Sequence, residues 1–365
     1  MALRLPSGAM ENDGGTDGVL FINFGEPSEP REEDVVAYLE RIFLANAVIE
    51  SPESAEAARS RSAELARRRA PALLEEYRRI GGSPLNSQAA EQAMALSREL
   101  EARGSPAHVE RGMQYTRPTI REAADALQAK GVERVALLPA YPLCGPSTTV
   151  ASLREARAAF AAANWDAEIR EITGWHRHPG YVELRASSIA ETARQAGVDL
   201  HDERVELVFS AHGTPMKYVR AGSRYVRYVE DWCNSLAARL GLAGYTLGYQ
   251  NHSNRGVEWT RPDIDAAIGG LADDRECVVV EAVSFMHEQS ETLAELDIDL
   301  REEAEGRGLR FVRVPVPHDA AEFASILADL VEAAWGDAPA TLPALRSCQC
   351  RPGADVCLNG DVRAG

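Results

Sequence analysis

The 365-residue sequence has little of what marks a disulfide-stabilised, membrane-spanning or nucleic-acid-binding protein. It contains six cysteines, too few for the disulfide framework of a small secreted domain. Its apolar runs are strand-sized, shorter than the roughly 20 residues that cross a bilayer. Acidic residues outnumber basic ones by 56 to 39, for a net charge of −17. This balance argues against nucleic acid as a partner, because phosphate backbones bind basic surfaces.

Signals for export and for phosphate binding are also missing. Residues 1–17 are rich in Gly, Asp and Ser without an apolar core, which indicates a disordered leader rather than a signal peptide. Together with the few cysteines, this predicts a cytoplasmic protein. The glycine pair at residues 81–82 lacks the spacing of a dinucleotide or triphosphate loop. The surplus of negative charge instead favours a cationic ligand or a metal ion.

Strand-like and helix-like segments alternate from residue 18 to residue 335, joined by short loops. This alternation is typical of βαβ units and parallel sheets. We predict an α/β fold with two doubly wound, Rossmann-like domains, residues 18–173 and 174–335, whose parallel sheets face a central cleft. The last helix is able to pack back on the first domain. Residues 336–365 form a cysteine-bearing tail.

The stretch from residue 207 to residue 215 is the first candidate for a functional site. Three large apolar residues lead through two small ones into His212, Gly213 and, two residues later, Pro215, so His212 stands at the carboxyl end of a buried parallel strand. Ligands bind at that edge of open α/β sheets. Imidazole accepts a proton near neutral pH and binds ferrous iron or zinc. A histidine that merely packs at a strand end fits the same pattern. A second sequence feature is therefore needed to choose between a functional and a structural role for His212.

A line of acids follows the apolar strand at residues 277–285. The acids are Glu288, Glu291, Glu295 and Asp299. Their spacing of three, four and four places them on one helix face, where like charges repel. Such a face is either a solvated acidic surface or a track of carboxylates that passes protons or a hard cation. The second interpretation requires the line to begin beside a base, which His212 would supply.

Taken together, these two stretches resemble the ferrochelatases, enzymes of haem biosynthesis that insert ferrous iron into a porphyrin. The central pieces are residues 208–215 and 291–297. Other matching pieces follow in the family's order at residues 23–27, 81–85, 112–115, 141–142 and 147–149, at Trp175, Gln250 and Trp259. The resemblance covers about residues 18–335. It implies the chelatase fold, a lyase activity, and Fe²⁺ and protoporphyrin IX as substrates.

The resemblance also implies residue roles. In the family, the histidine and the glutamate that match His212 and Glu291 take the two pyrrole protons. The acids at Glu288, Glu295 and Asp299 are expected to form a path for protons or the metal. The side chains expected to bind the porphyrin are Met113, Tyr115, Ser147, Thr148, Trp175 and Trp259.

Two departures from the family pattern concern iron delivery and substrate binding. Glu288-Gln289 stands where members commonly have Asp-His, so the acid is kept and the second histidine is not. Gln114 stands where many members have arginine, which concerns the hold on a propionate. His212 and Glu291 match the family.

Three of the six cysteines lie close together near the carboxyl end. They are Cys348, Cys350 and Cys357. Thiolates at this spacing indicate a soft metal site, either zinc or an iron–sulfur cluster, and both usually take four ligands. Cys144, in a loop, is the first choice for the fourth, ahead of Cys233 in a helix and Cys277 at a strand start. A subset of ferrochelatases binds a [2Fe-2S] cluster through one internal and three carboxyl-terminal cysteines, and this layout resembles theirs. The alternative is a disordered tail with free thiols.

Ile42, Phe43 and Leu44 are more consecutive apolar residues than one helix face buries. They form either ordinary core or a lip for an apolar ligand or a membrane surface, so peripheral membrane contact is one expectation. The sequence does not indicate an oligomeric state.

Two other functions stay open. Within enzymes, the substrate is either protoporphyrin or coproporphyrin III, and another divalent ion can replace iron. From a different class, a haem-binding or redox-sensing protein could keep the cleft and the cluster but lose catalysis. That alternative predicts a missing base, which the presence of His212 and Glu291 argues against.

Overall fold

The computed structural model describes residues 16–252, 256–343, 345 and 348–359. Most of the leader expected at residues 1–17 lies outside this part of the chain. Its last two residues are ordered, however, because Thr16 begins the first strand and Asp17 accepts two hydrogen bonds from Arg134 at 2.7 and 2.8 Å. The first strand therefore begins two residues before the predicted domain start at residue 18.

The described residues form two parallel sheets of four strands each. The strands are β1 (Thr16–Asn23), β2 (His108–Met113), β3 (Val132–Pro139), β4 (Glu168–Glu171), β5 (Val205–His212), β6 (Thr246–Gln250), β7 (Cys277–Ala282) and β8 (Arg310–Val314). Their spatial orders are β2-β1-β3-β4 and β6-β5-β7-β8, and every pairing is parallel. The predicted α/β fold with two Rossmann-like halves is confirmed.

The helices cover both faces of the sheets. They are α1 (Glu32–Ala45), α2 (Ala55–Ile80), α3 (Leu85–Ala102), α4 (Ile120–Ala129), α5 (Ala151–Ala162), α6 (Pro179–Gln195), α7 (Met216–Arg220), α8 (Tyr225–Leu240), α9 (Ile264–Gly269), α10 (Arg301–Gly306) and α11 (Ala321–Trp335). Two π-helical stretches, Pro146–Val150 and Glu291–Leu300, lead directly into α5 and α10. None of the helices in the described residues is long and apolar enough to span a membrane.

The strand order reverses at the centre of each sheet, between β1 and β3 and between β5 and β7. Loops leave in opposite directions at such a point and open a crevice beyond the carboxyl ends of the strands. His212 is the last residue of β5. The fold therefore puts it at the crevice of the second sheet.

Helix α2 is ten residues longer than the sequence suggested. The pattern predicts an end near residue 70 because Pro71 removes a backbone donor, which usually breaks a helix at a cost of about 3 kcal/mol. The helix continues to Ile80 because α1 packs along it, and Leu65, Leu73 and Tyr77 bury their side chains in this contact. Tertiary packing thus overrides a local signal.

Helix α11 follows the second half in sequence but packs on the first, against α3, β3 and β4. Arg103, directly after α3, binds Asp329 at 2.6 Å and Glu332 at 3.0 Å. The apolar core extends from Val19 of β1 to Val331 of α11. Helix α11 therefore links the two halves of the molecule.

A buried arginine fixes the loop after β7. Arg185 of α6 pairs with Glu281 and donates hydrogen bonds to the backbone oxygens of Ala282 (2.8 Å) and Phe285 (2.9 Å). Its side chain is completely buried. Because Ser284 and Phe285 line the cleft, this pair positions one wall of the site.

Candidate active site

A cleft of about 1600 Å³, counted with its open mouth, lies between the carboxyl edges of the two sheets. Its walls come from the segments after β1, β3, β5 and β7 and from α1 and α2. Most of the wall is apolar, including Phe24, Leu39, Phe43, Leu73 and Phe285. Titratable side chains come together in this apolar setting at the ends of β5 and β7.

His212 is held in one tautomer when it is neutral. Its Nδ1 lies 2.7 Å from the carbonyl oxygen of Gly213, and its backbone N–H donates to Ser284 Oγ at 3.0 Å. A carbonyl only accepts, so Nδ1 carries the proton and Nε2 presents a lone pair to the cleft. Burial, reinforced by the neighbouring His252, lowers the pKa of His212 to about 4. At neutral pH the ring is therefore an unprotonated base.

Glu291 and a second histidine complete this cluster. His252 Nε2 lies 3.1 Å from His212 Nε2, and the ligand atoms of His212, His252 and Glu291 all lie within 4.8 Å of one another. The structure thus brings together the two residues that the sequence singled out. Sequence reasoning missed His252, because it belongs to no recognised motif and follows β6 in an irregular loop.

Glu291 is oriented by its neighbours. Gln289 Nε2 donates to its Oε2 at 2.9 Å, and Ser290 Oγ lies 3.1 Å from the same oxygen. Gln250 Nε2 binds both the backbone oxygen of Glu291 and Oε2 of Glu295, each at 2.9 Å. One amide from β6 therefore ties the first two acids of the line together.

The acid line leads from the cleft to the surface. Residues 291–300 form a wider π-helix, in which side chains four apart stay nearly in line. Burial, with the charge of Glu291, raises the pKa of Glu295 to about 8, and both residues line the cleft. Asp299 is 51% exposed and binds Arg79 at 2.6 Å. The line ends at solvent.

Glu288 does not belong to this line. It precedes the π-helix, and its Oε1 accepts hydrogen bonds from Arg313 and from the backbone of Val316, both at 2.9 Å. It does not line the cleft. The expectation of one face for all four acids is wrong for Glu288, because the helix begins only at Glu291 and the carboxylate turns toward β8.

Half of the expected porphyrin contacts line the cleft. Ser147 and Thr148 reach it from the π-helical stretch before α5, and Trp259 reaches it from the loop after β6. Trp259 packs edge-on against His252, with ring centroids 5.7 Å apart. These three residues remain predicted porphyrin contacts.

The other three lie outside the cleft. Trp175 is fully buried, donates to the backbone oxygen of Pro139 and packs on Tyr181. Tyr115 packs on Phe24 with ring centroids 4.6 Å apart and sits behind the wall. Met113 is buried at the end of β2. Trp175, Tyr115 and Met113 therefore do not line the cleft in this structure, and their side chains pack in the core.

Glu26 is a buried carboxyl that the sequence placed in a matching piece without assigning it a role. Its Oε1 lies 2.6 Å from Ser290 Oγ and 3.2 Å from the hydroxyl of Tyr77. Its Oε2 accepts from the backbone N–H of Ser290 at 3.2 Å and from Ser83. Since Glu26 follows β1 and Ser290 precedes the π-helix, these bonds join the two walls of the cleft beside Glu291.

Exchanging Glu26 for glutamine is expected to change how stability depends on pH. Burial, with the charge of Glu291, raises the pKa of Glu26 from 4.5 to about 7. The folded state therefore holds this proton more tightly, and the resulting stability is complete below pH 4.5 and is lost as pH rises through 7. Glu26→Gln removes that loss, so stability should fall less between about pH 5 and pH 8, by roughly 3 kcal/mol.

Urea unfolding at a series of pH values measures this difference. The control is Glu29→Gln, which removes a largely exposed carboxylate nearby. Parallel profiles for the wild type and Glu26→Gln would contradict the raised pKa.

The four cysteines of the predicted metal site come together. Cys144 follows β3, and the segment from 348 to 359 packs on the edge strand β4, with Val356 bridging Ile172. Hydrogen bonds from Cys144, Cys350 and Cys357 lower the pKa of the Cys348 thiol. Cys350 Sγ lies 3.4 Å from the hydroxyl of Tyr228. Donors from two distant parts of the chain thus share one buried site.

Two Rossmann-like halves enclose a cleft in which a histidine and a carboxylate lie together. SirB from Bacillus subtilis, solved with Fe³⁺, has a similar fold, with a TM-score of 0.50 at 11% identity over 88% of this chain and 98% of that one. The chain belongs to the ferrochelatase family, whose sequence model matches residues 16–335. It is therefore a lyase that inserts iron into a porphyrin.

Relatives named ferrochelatase match most of the chain. The protein from Synechococcus elongatus is 35% identical over 337 residues, 87% of this chain and 82% of that protein. The protein from Trichodesmium erythraeum is 33% identical over 338 residues, 88% and 83%. The protein from Desulfotalea psychrophila is 31% identical over 317 residues, 86% and 96%.

Proposed function

We propose that this enzyme inserts Fe²⁺ into protoporphyrin IX, with His212 as the base and Glu291 as its charged partner. The observation that carries the proposal is the lone pair of His212 Nε2, directed into an apolar cleft within 4.8 Å of Glu291. To receive the ion, the macrocycle must lose two pyrrole protons. A neutral imidazole at neutral pH accepts the first of them.

The neighbouring carboxylate makes this transfer easier. Burial disfavours the imidazolium, while the negative charge of Glu291 favours it. The proton moves from the pyrrole nitrogen to His212 Nε2 and leaves a negative charge on the ring, which the ferrous ion then neutralises. Glu291 thus stabilises the imidazolium of His212 after the proton has been transferred.

The acid line is the proposed exit for protons. Glu295, with its pKa raised to about 8, holds a proton at neutral pH, and Gln250 keeps it beside Glu291. Asp299, bound to Arg79, lies at the solvent end. Protons taken from the porphyrin therefore leave by relay along one helix: Glu295 releases its own proton toward Asp299 and the solvent, and then accepts the next one.

The charge of the lining favours protoporphyrin IX over coproporphyrin III. Coproporphyrin carries four propionates, and protoporphyrin carries two, with apolar vinyl groups in place of the others. Among the described residues of the lining, Arg69 is the single Lys or Arg, and it already pairs with Glu76 at 2.7 Å. Leu39, Ile42 and Phe43 of α1 add apolar surface to the lining. Such a lining suits vinyl groups better than two further carboxylates.

A direct comparison of the two porphyrins tests this choice. We expect kcat/KM with Fe²⁺ under anaerobic conditions to be at least about tenfold higher for protoporphyrin IX, a difference of about 1.4 kcal/mol. The measurement follows the absorbance of the metallated product. A preference for coproporphyrin III would overturn the substrate assignment. Absence of turnover with either porphyrin would favour the non-catalytic haem-binding alternative.

We further propose that Cys144, Cys348, Cys350 and Cys357 hold a [2Fe-2S] cluster. Four soft donors around a buried site fit this group. The layout of one internal and three carboxyl-terminal cysteines resembles that of the cluster-binding ferrochelatases and favours a cluster over a zinc ion. When bound, such a group supplies one-electron redox chemistry.

Peripheral membrane contact belongs to the same proposal, in a narrower form than the sequence suggested. Ile42 and Phe43 line the cleft, so they are not free to insert into a bilayer. Leu44 is 44% exposed and Val48 57% exposed beside them. These two side chains are the proposed contact, placed next to the mouth through which an apolar porphyrin would enter.

A further inference from the structure

His252 is placed as closely to the catalytic base as a metal ligand would be. Its Nε2 lies 3.1 Å from His212 Nε2, and both atoms lie within 4.8 Å of a carboxylate oxygen of Glu291. The ring packs against Trp259 on one side and lines the cleft. The mechanism above gives this histidine no task.

The imidazole rings of His212 and His252 are able to bind one ion together. The proton on His212 Nδ1 is committed to the carbonyl oxygen of Gly213, so its Nε2 offers a lone pair. Without an ion, His252 Nε2–H donates to that lone pair. With an ion between them, His252 shifts its proton to Nδ1, and two lone pairs and one carboxylate oxygen converge.

The charges around His252 suit a bound cation. Arg69 also lines the cleft, but it is paired with Glu76 at 2.7 Å. Glu291 and Glu295 line the same cleft. A neutral imidazole beside carboxylates suits ferrous iron.

We propose that His252 is the third protein ligand of the incoming Fe²⁺, completing a site of two histidines and one carboxylate with His212 and Glu291. This inference rests on the proposed function, in which the cleft receives ferrous iron. It explains how the chain manages without a histidine at position 289. There, Gln289 donates its amide hydrogen to Glu291 and holds the carboxylate, while the second imidazole comes from the other side of the cluster.

Three protein ligands leave coordination positions of Fe²⁺ open, as in other sites with two histidines and one carboxylate. Pyrrole nitrogens enter these positions and displace His212 first. Its freed Nε2 lone pair accepts one pyrrole proton, and the Glu291 carboxylate accepts the second when it is displaced in turn, so the deprotonated ring takes the ion from His252. Iron stays ferrous throughout, so no oxidant or reductant is needed. After His212 has passed its proton to solvent, His252 again donates to its Nε2.

Binding of Co²⁺ to the whole protein, measured by equilibrium dialysis without porphyrin, tests the proposal. We expect His252→Ala to weaken Co²⁺ binding at least about tenfold, or about 1.4 kcal/mol. His252→Gln keeps the volume of the ring and serves as a second variant if the alanine variant does not fold. The matched control is His318→Gln, whose Nδ1 lies near a backbone oxygen outside the cleft, and its affinity should equal that of the wild type.

Steady-state kinetics provide the second readout. The KM for Fe²⁺ should rise in the His252 variants, while the KM for the porphyrin stays unchanged. Unchanged Co²⁺ affinity in a folded His252 variant, with a loss in Glu291→Gln, would leave a two-ligand site and overturn the inference.

The failure of the proposed function looks different. A wild type that binds Co²⁺ through His252 but metallates neither porphyrin would keep the three-ligand site and overturn iron insertion. Normal iron insertion in His252→Ala, with unaltered KM values, would overturn the inference alone.

Discussion

Iron insertion is expected to fall by a factor of about 10²–10⁴ when His212 is replaced by alanine, with the fold retained. The substitution removes the Nε2 lone pair that takes the pyrrole proton. It removes two side-chain hydrogen bonds, from Nδ1–H to Gly213 and from His252 to Nε2, while the backbone bond from residue 212 to Ser284 Oγ stays possible. Anaerobic turnover with Fe²⁺ and protoporphyrin IX measures the loss, and circular dichroism checks the fold.

Two further variants distinguish the role of His212 from that of its partner and from an unspecific effect of losing a histidine. Glu291→Gln keeps the shape of the partner and removes the charge that stabilises the imidazolium, so it should lower kcat as well. His201→Gln changes an exposed histidine and should leave turnover unaltered. Substantial turnover in His212→Ala, despite a folded protein, would refute His212 as the base.

The pH profile of the wild type gives an independent check on the same group. Because burial lowers the pKa of His212 to about 4, the free enzyme keeps its base unprotonated well below the ordinary histidine range. The acidic limb of kcat/KM should therefore lie below pH 6.5. A limb at the ordinary value would show that the ring is more exposed to water than the structure indicates.

Replacing Cys350 with serine is expected to abolish the bound [2Fe-2S] cluster. A hydroxyl is a hard, poorly ionised donor, and Cys350 lies beside Cys144, Cys348 and the hydroxyl of Tyr228. The purified variant should lose its visible absorption and at least about nine-tenths of its iron and sulfide. Its melting temperature should also fall, since the proposed cluster would tie residues 348–359 to the loop of Cys144.

Cys277→Ser provides the matched control, because Cys277 begins β7 and takes no part in the group. That variant should keep the colour of the wild type. A Cys350→Ser spectrum identical to that of a coloured wild type would exclude the cluster at this position. A colourless wild type with stoichiometric zinc would replace the cluster by a single ion.

The residue type alone did not predict which tryptophan lines the cleft. Trp175 and Trp259 are both tryptophans in pieces that match the family, yet Trp259 lines the cleft and Trp175 lies in the core. An indole satisfies either environment, since both remove its apolar surface from water and can accept its N–H. Which of them meets the ligand depends on how α6 and α11 cover the sheet.

The acids show the same difference between local and long-range information. Spacing was enough to align Glu291, Glu295 and Asp299, because they share one helix. Spacing misplaced Glu288, because the helix start depends on contacts with Arg313 and Val316 that lie far along the chain.

What the chain order alone established is the alternation of buried strands and amphipathic helices, the strand-end position of His212, and the acids downstream of β7. These follow from periodicity, which acts between near neighbours in sequence. Folding was needed to bring His252 beside His212, to set Glu26 against Ser290 across the cleft, and to gather Cys144 with the carboxyl-terminal thiols. Those pairs are separated by 40, 264 and more than 200 residues, and their contacts exist because two sheets bury their helices against a shared core.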